Sequence, residues 1–136
     1  MVTVLSEDTK EFVRRALERS WSSKTSVCYN PKIAPLSYGQ CAPTASVIAE
    51  SFGGEILKTQ VPRKDGTFAR HFYNRIEGER YDFTRSQFDD LPDYWGPVVY
   101  DDTPSSFADA MTEMLPGQLE EMRAAFKKAL GEQNAG

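Results

Sequence analysis

The sequence has very few residues that cross-link a chain or bind a transition metal: two cysteines and one histidine in 136 residues. A secreted disulfide scaffold needs more cysteines, and a structural zinc site usually takes four protein ligands. We therefore expect Cys28 and Cys41 to be free thiols in a reducing compartment. We also expect no metal site and no organic cofactor.

Basic residues are in the minority as well, with 16 Lys and Arg against 20 Asp and Glu and a net charge of −4. This balance argues against nucleic acid or an anionic membrane surface as the partner. No apolar run approaches the roughly 18 residues of a membrane span, and MVTVLSEDTKEF lacks the regions of a signal peptide. We expect a cytoplasmic protein with a single domain over residues 1–136, and the oligomeric state stays open.

Hydrophobic periodicity predicts helices towards both ends of the chain and one in between. Ser6 is a typical N-cap for a first helix over about 7–20, and a second helix should run over about 42–52, where two glycines stop it. Further helices are predicted over 105–115 and from Leu119 to Leu130, the last one closed by a glycine. The final residues, EQNAG, are expected to be disordered.

The middle of the chain has the pattern of a small antiparallel sheet. Strands are predicted over 55–61, 68–76 and 79–88, with a short one over 98–100, whereas 22–40 should be a long ordered loop. The predicted fold class is α+β, with one helix packed on a small antiparallel sheet and helices flanking it at both ends.

The only histidine lies in the predicted hairpin, and the spacing defines its neighbours. A two-residue turn at 77–78 continues into a register in which Tyr73 pairs with Asp82 and His71 with Thr84. Because side chains alternate along a strand, His71 and Asp82 then project from one face as diagonal neighbours, roughly 7–8 Å apart at the backbone. The prediction depends on a loop of even length, since an odd one would move Asp82 to the other face.

A carboxylate beside a histidine and a cysteine at a helix start are together the parts of a nucleophilic site. Asp82 would hold one tautomer of the His71 ring, and unpaired N–H groups at the start of the helix favour a thiolate at Cys41. Taken singly, each residue has an ordinary structural interpretation, because buried cysteines and strand histidines are common in protein cores. Their chain order, Cys, His, Asp, is that of the papain-like thiol enzymes.

Three short motifs add to this pattern: YGQC at 38–41, HFYN at 71–74 and DFT at 82–84. They resemble the active-site segments of the transglutaminase-like superfamily. More specifically, SWSSKTSVC, YGQCAPTA, FGGEIL, HFYNRI and YDFTRSQF are similar to the small bacterial YunG-like family over residues 20–88. The resemblance implies a papain-like, transglutaminase-like core in which Cys41 is the nucleophile, His71 the base and Asp82 the residue that orients it.

The implied reaction is hydrolysis or acyl transfer at a peptide, protein or small amide or ester carbonyl, through an acyl-thioester. The resemblance does not imply protein crosslinking. Ala42 follows the nucleophile where the large transglutaminases have a tryptophan, and the acidic loops that would carry calcium are missing. The acyl acceptor, whether water, an amine or a thiol, stays open.

Four further residues are candidates for supporting roles. The indole of Trp21 and the amide of Gln40 are considered as donors to an oxyanion, alongside the backbone N–H of the nucleophile. Asn74 and Thr84 are considered as supports of the His–Asp pair, although alternation places Asn74 on the opposite face of its strand. The aromatic segment DYWGP at 93–97 could line a groove or pack as a lid.

Two other functions fit the same residues. The domain could keep the core without turnover, as a binding or regulatory module. Alternatively, Cys28 could act as a resolving thiol for Cys41 in a redox sensor.

Overall fold

A computed structural model describes residues 5–32 and 34–135 of the chain. It has the α+β architecture, with a four-stranded antiparallel sheet and flanking helices. In chain order the elements are α1 (Glu7–Ser20), α2 (Cys41–Phe52), β1 (Glu55–Pro62), β2 (Phe68–Ile76), β3 (Glu79–Tyr81), α3 (Ser86–Asp89), β4 (Thr103–Pro104), α4 (Phe107–Met111) and α5 (Gln118–Ala135).

The first two predicted helices are confirmed, and their ends show why. The Ser6 hydroxyl accepts the backbone N–H of Thr9 and so caps α1, which satisfies one of the donors a helix start leaves unpaired. Helix α2 begins at Cys41, one residue earlier than predicted. It ends at Phe52, and the C-cap residue Gly53 has a φ of 79°, a backbone region that favours glycine.

The hairpin register is confirmed where the two strands pair. Ile76 lies opposite Glu79 across a two-residue turn, and the ladder continues as far as Asn74 opposite Tyr81. Both turn residues have positive φ, which is the conformation that a two-residue hairpin turn with right-handed strand twist requires. The sheet order is β3-β2-β1-β4, so β2 is an inner strand.

The predicted strand over 79–88 is wrong beyond Tyr81, because the chain leaves the sheet at Asp82. Thr84 donates both its backbone N–H and its hydroxyl to Oδ1 of Asp82, at 3.2 and 3.3 Å. This local turn replaces the ladder that would have paired Asp82 and Thr84 with β2, since short polar side chains compete with sheet hydrogen bonds. The chain then enters α3.

Three predictions in the carboxy-terminal half are also wrong. Residues 98–100 form no strand, and the pairing with β1 is made instead by β4. Helix α4 is much shorter than the predicted 105–115. Helix α5 continues through Gly131 to Ala135, so the tail expected to be disordered is helical as far as the structure describes it.

Packing against α1 explains why a glycine does not end α5. A glycine inside a helix costs only about 1 kcal/mol relative to alanine, and Phe126 and Ala129, in the two turns before Gly131, are buried in the core. The side chain of Gln133 also donates to the Phe12 carbonyl at 2.9 Å, and Glu132 pairs with Arg19. These contacts hold the last turns of α5 in place.

Helix α2 lies between the sheet and the other long helices, and most of its residues from Ala42 to Ile48 are buried. One core cluster joins it to α1 and α5 and includes Val13, Leu17, Val47, Ile48, Met122 and Phe126. A second cluster joins it to the sheet through Ala42, Ala45, Ile56 and Phe72. The start of α2 is therefore held firmly against β2. Within residues 5–32 and 34–135, no helix combines the length and apolar character that a bilayer crossing requires.

Candidate active site

Cys41 is the first residue of α2, and its side chain is partly exposed. The preceding residue, Gln40, contributes no side-chain cap to the helix. The N–H groups of the first turn have no partner within the helix, and the helix dipole adds partial positive charge at the same end. The backbone therefore presents hydrogen-bond donors and positive potential at the end of α2 where Cys41 lies, which favours an anion bound there.

His71 lies on β2, is completely shielded from solvent, and binds Asp82. Its Nε2 is 2.8 Å from Oδ2 of Asp82. Its other nitrogen, Nδ1, is buried and makes no hydrogen bond of ordinary geometry to any described residue. Burial lowers the pKa of His71, whereas Asp82 and, to a smaller extent, the neighbouring Cys41 side chain raise it. Since Asp82 occupies Nε2, Nδ1 is the nitrogen left to interact with the thiol.

The charges of His71 and Asp82 stabilise each other. Burial alone would lower the pKa of His71, but the hydrogen bond and charge of Asp82, together with Cys41, raise it to about 9. Burial would raise the pKa of Asp82, but His71, the Tyr100 hydroxyl and the Thr84 N–H lower it. Near neutral pH the pair is therefore an imidazolium bound to a carboxylate.

Asp82 also accepts hydrogen bonds from residues other than His71. The Tyr100 hydroxyl donates to Oδ2 at 2.7 Å, and Thr84 occupies Oδ1. Burial first, and then the charge of Asp82, raises the pKa of Tyr100 to about 12, so its hydroxyl remains a donor. Arg85 in turn donates to the Tyr100 oxygen at 3.1 Å. Thr84 thus contacts Asp82, as one of the predicted supports, whereas sequence reasoning missed Tyr100, which lies eighteen residues further along the chain.

Gln87 connects the Asp82 turn to the segment before Cys41. Its amide nitrogen donates to Thr84 Oγ1 at 3.0 Å, and its amide oxygen accepts the Gly39 N–H at 3.2 Å. Gly39 lies two residues before Cys41, so one side chain fixes the distance between the two parts of the site. No spacing rule identifies Gln87 from the sequence. Its position on the buried side of α3 becomes visible only in the fold.

The two predicted oxyanion donors both have other partners in this structure. The indole N–H of Trp21 donates to Thr44 Oγ1 at 2.9 Å, which ties the end of α1 to α2. The Gln40 amide is fully buried, accepts the Thr25 hydroxyl at 2.8 Å and donates to the Ser22 carbonyl at 3.3 Å. Gln40 therefore braces the loop in front of the helix, and Trp21 braces the helix itself.

Asn74 and Cys28 lie beside the site without contacting the His–Asp pair. The Asn74 amide donates to the Ala45 carbonyl at 3.0 Å and joins β2 to α2, from the face opposite His71, as alternation predicted. Cys28 is an exposed free thiol that packs on Gly39. A Cβ at Gly39 would lie 2.5 Å from that of Cys28, and the φ of Gly39 is +73°, so position 39 requires glycine for two reasons.

A cleft of about 310 Å³ opens next to the Cys41 side chain. Its lining includes Val27, Cys28 and Tyr38 from the loop before α2 and Met114 and Leu115 from the segment after α4. Arg63, Arg70 and Trp95 line it as well. Residues 5–32 and 34–135 contain no group of three or more His, Cys, Asp and Glu side chains arranged to hold a metal ion.

Comparison with known proteins identifies relatives over most of the chain. The model of the family described as "YunG protein" matches residues 9–131. A curated protein from Bacillus subtilis (strain 168), "Uncharacterized protein YunG", is 37% identical over 118 residues, which are 87% of this chain and 91% of that protein. No solved structure matches. The family match begins within α1 and ends within α5, and the chain belongs to the YunG protein family.

Proposed function

We propose that this protein is a cysteine-dependent hydrolase or acyltransferase that acts on an amide, peptide or ester carbonyl. The observation that carries the proposal is the arrangement at His71. One ring nitrogen is bound to Asp82 at 2.8 Å, and the other, buried and unpartnered among the described residues, is left for the thiol of Cys41 at a helix start. A nucleophile, a base and a residue that orients the base are the three parts that acyl transfer through a thioester requires.

In the proposed mechanism the proton of the thiol moves to His71 before substrate is attacked. The raised pKa of His71 keeps the proton on the ring at neutral pH. The thiolate then forms a bond to the carbonyl carbon, and the carbonyl oxygen becomes an oxyanion beside the free N–H groups that begin α2. As the tetrahedral intermediate collapses, the bond to the leaving amine or alcohol breaks and His71 donates its proton to that group.

The second half of the cycle returns the enzyme to its starting state. Water or an amine attacks the thioester while His71 accepts the proton of that nucleophile, and the Cys41 sulfur leaves as a thiolate. Asp82 stays ionised throughout, because Tyr100 and Thr84 as well as His71 donate to it. Its role is to hold the ring with Nδ1 towards the sulfur.

The proposal includes a papain-like, transglutaminase-like relationship for the core. What supports it is the sequence order of a cysteine at a helix start, a histidine on a strand and an aspartate next along the hairpin, together with the YGQC, HFYN and DFT motifs. In this protein the aspartate follows the strand instead of lying on it. The contact with His71 is kept because the turn at Asp82 leaves its carboxylate directed at the ring.

A thiol-based redox sensor is a second candidate because Cys28 and Cys41 both line the cleft and both are free. Oxidation would remove one proton and one electron from each thiol and pass both electrons to an oxidant such as hydrogen peroxide, with a Cys28–Cys41 disulfide as product. Mapping that disulfide after mild peroxide treatment, with restoration by dithiothreitol, would favour the sensor. A Cys28→Ser variant that keeps all acyl-transfer activity would favour the enzyme.

The acyl-enzyme itself provides the test of the main proposal. Treating the Cys28→Ser protein with p-nitrophenyl acetate should release a stoichiometric burst of p-nitrophenol and leave one acetyl group on Cys41, detected by mass spectrometry. Cys41→Ala should show no burst, and His71→Gln should slow deacylation by roughly 10²–10⁴-fold. Acetylation spread over lysines, with no preference for Cys41 and no effect of His71→Gln, would contradict the proposal.

A further inference from the structure

Arg63 differs from the other arginines of the chain because it has no carboxylate partner within residues 5–32 and 34–135. Ion pairs within 4.0 Å are formed by Arg14, Arg15, Arg19, Arg70, Arg75, Arg80, Arg85 and Arg123. Arg63 lines the cleft that contains Cys41. A guanidinium is always charged in proteins, so the cleft carries one positive charge that no described acidic side chain neutralises by contact.

The hydrogen bonds of Arg63 leave one edge of the guanidinium unused. Nη1 donates to Thr67 Oγ1 at 3.1 Å and to the Phe68 carbonyl at 3.0 Å. Nε is buried and has no acceptor among the described residues, and Nη2 makes no hydrogen bond to them. The Nε and Nη2 donors point along the same side of the planar group, which is the fork that binds both oxygens of a carboxylate.

Trp95 contributes a second unused donor at the same place. Its side chain is only 7% exposed, and its indole N–H also has no acceptor among the described residues. The Arg63 guanidinium carbon lies 5.3 Å from the centre of the Trp95 ring, and the two backbones form a β-bridge. Leaving a buried donor unsatisfied costs about 1–3 kcal/mol, so a bound oxygen acceptor would stabilise both groups.

The other charges that line the cleft are already compensated. Arg70 binds both Asp109 and Glu113, and Glu113 is therefore itself paired. Aromatic contacts connect Trp95 to the His71 site, since its ring packs edge-on against Phe88 at 4.8 Å and Phe88 against His71 at 4.6 Å. Arg63 and Trp95, whose side chains carry the unused donors, thus line the same cleft as Cys41.

We propose that the substrate carries a carboxylate close to the carbonyl that Cys41 attacks, and that the Nε and Nη2 edge of Arg63 binds this carboxylate beside the Trp95 indole. This inference rests on the proposed acyl-transfer function and adds the chemical class of its substrate. The apolar walls of the cleft, including Val27, Tyr38, Met114 and Leu115, would contact the uncharged part of the molecule. Arg63 and Trp95 are then residues that determine specificity.

A binding experiment tests the carboxylate site without any turnover. The Cys41→Ala protein is titrated with N-acetylglycine, with its uncharged analogue N-acetylglycinamide and with inorganic phosphate. The indole N–H resonance of Trp95, assigned by comparison with Trp95→Phe, is followed by NMR. We expect saturable shifts with N-acetylglycine and none with the amide. Equal shifts with the amide, no shift at all, or shifts with phosphate alone would overturn the proposal.

Variants of Arg63 provide the controls for that titration. Arg63→Gln should weaken N-acetylglycine binding by roughly tenfold or more, as expected for a lost charged hydrogen bond. The affinity of Arg63→Lys should lie between those of Arg63→Gln and the wild type. Arg75→Gln removes an arginine that pairs with Glu55 on β1 and should leave binding unchanged. Unchanged affinity in Arg63→Gln, with a backbone NMR spectrum that shows an intact fold, would overturn the assignment.

Alkylation of Cys41 tests whether the positive charge of Arg63 is close enough to the thiol to attract a reagent that carries a carboxylate. In the Cys28→Ser protein, iodoacetate and iodoacetamide each form a sulfur–carbon bond at Cys41 and release iodide, and they differ only in the carboxylate. We expect Arg63→Gln to lower the iodoacetate rate by roughly tenfold relative to the iodoacetamide rate. If Arg63→Gln leaves the ratio of the iodoacetate rate to the iodoacetamide rate unchanged, the inference is overturned. If Cys41 of the Cys28→Ser protein reacts with both reagents no faster than free cysteine does, the proposed function is contradicted instead.

Discussion

The imidazole of His71 and the carboxylate of Asp82 form a buried hydrogen bond of 2.8 Å, between two side chains that are 0% and 5% exposed. Burying two charged groups is costly unless their mutual attraction and further hydrogen bonds compensate for the lost hydration. Tyr100 and Thr84 supply those additional bonds to the carboxylate. The Nδ1 side of the ring receives no such support from the described residues, and this asymmetry leaves Nδ1 available to the thiol in the proposed mechanism.

The single histidine makes its titration directly observable by NMR. We expect the His71 ring resonances to titrate near pH 9, because Asp82 and Cys41 outweigh burial in setting its pKa. In Asp82→Asn the pKa should fall below 6.5, since burial then dominates. Asp93→Asn, at an exposed position, should leave the titration unchanged. A pKa of His71 that is the same in wild type and in Asp82→Asn would show that Asp82 does not determine the protonation of His71.

The same pair should make stability depend on pH in a defined direction. Because the folded-state pKa of His71 is raised from 6.5 to about 9, its contribution is complete below about pH 6.5 and is lost as pH rises through 9. The lowered pKa of Asp82 gives the opposite dependence at acid pH, where stability is lost as pH falls below its ordinary value of 3.8.

Urea unfolding measures this dependence as a difference between wild type and His71→Gln. We expect the difference in unfolding free energy to be largest between about pH 4 and 6.5 and to shrink by at most about 3 kcal/mol towards pH 9. A difference that stays constant over this range would mean that His71 contributes by packing alone.

Tyr100 should stabilise the fold through its hydrogen bond to Asp82, the one member of the His71–Asp82 pair that it binds. Tyr100→Phe removes a hydrogen bond to a buried carboxylate, which typically contributes about 1.5–3 kcal/mol, and should lower the unfolding free energy by an amount of that order. It should also raise the pKa of Asp82. The control is Tyr29→Phe, which removes a hydroxyl outside the Asp82 network. Equal effects of the two variants in urea unfolding would contradict the assigned role of Tyr100.

Gly39 and Gly66 form a matched pair that separates steric clash from backbone strain. Both have positive φ, but a Cβ at Gly66 meets nothing within 4 Å, whereas one at Gly39 meets Cys28 at 2.5 Å. Gly66→Ala should therefore cost only the strain of about 1–2 kcal/mol, and Gly39→Ala should cost clearly more. Adding Cys28→Gly should recover part of the loss at position 39. The absence of any recovery in urea unfolding would argue against this contact.

The parts of the fold that sequence reasoning located depend on short-range chemistry. Ser6 predicted the start of α1, Gly53 the end of α2, and the two-residue turn the register at Ile76 and Glu79, because each is decided by a few neighbouring residues. The register brought His71 and Asp82 to the same region even though the ladder stops before either of the predicted pairs.

The errors lie where local and long-range interactions compete. The end of β3 is decided by the side-chain turn at Asp82, and the length of α5 by its packing on α1, and neither balance is visible in hydrophobic periodicity. Tyr100 and Arg63 reach the site from segments outside the helices and strands, and Gln87 reaches it from α3; no spacing rule gives these positions. Sequence reasoning therefore found the residues that the helix start and the hairpin bring together, and missed those whose positions depend on the path of the chain in three dimensions.

The rate of Cys41 alkylation at neutral pH tests the central claim most directly. In the Cys28→Ser protein, iodoacetamide should alkylate Cys41 much faster than it alkylates free cysteine in solution, because the imidazolium of His71 and the start of α2 assist attack by the sulfur. Adding His71→Ala to this protein should remove most of the excess rate. The account is contradicted if Cys41 reacts at the rate of free cysteine both with and without His71→Ala.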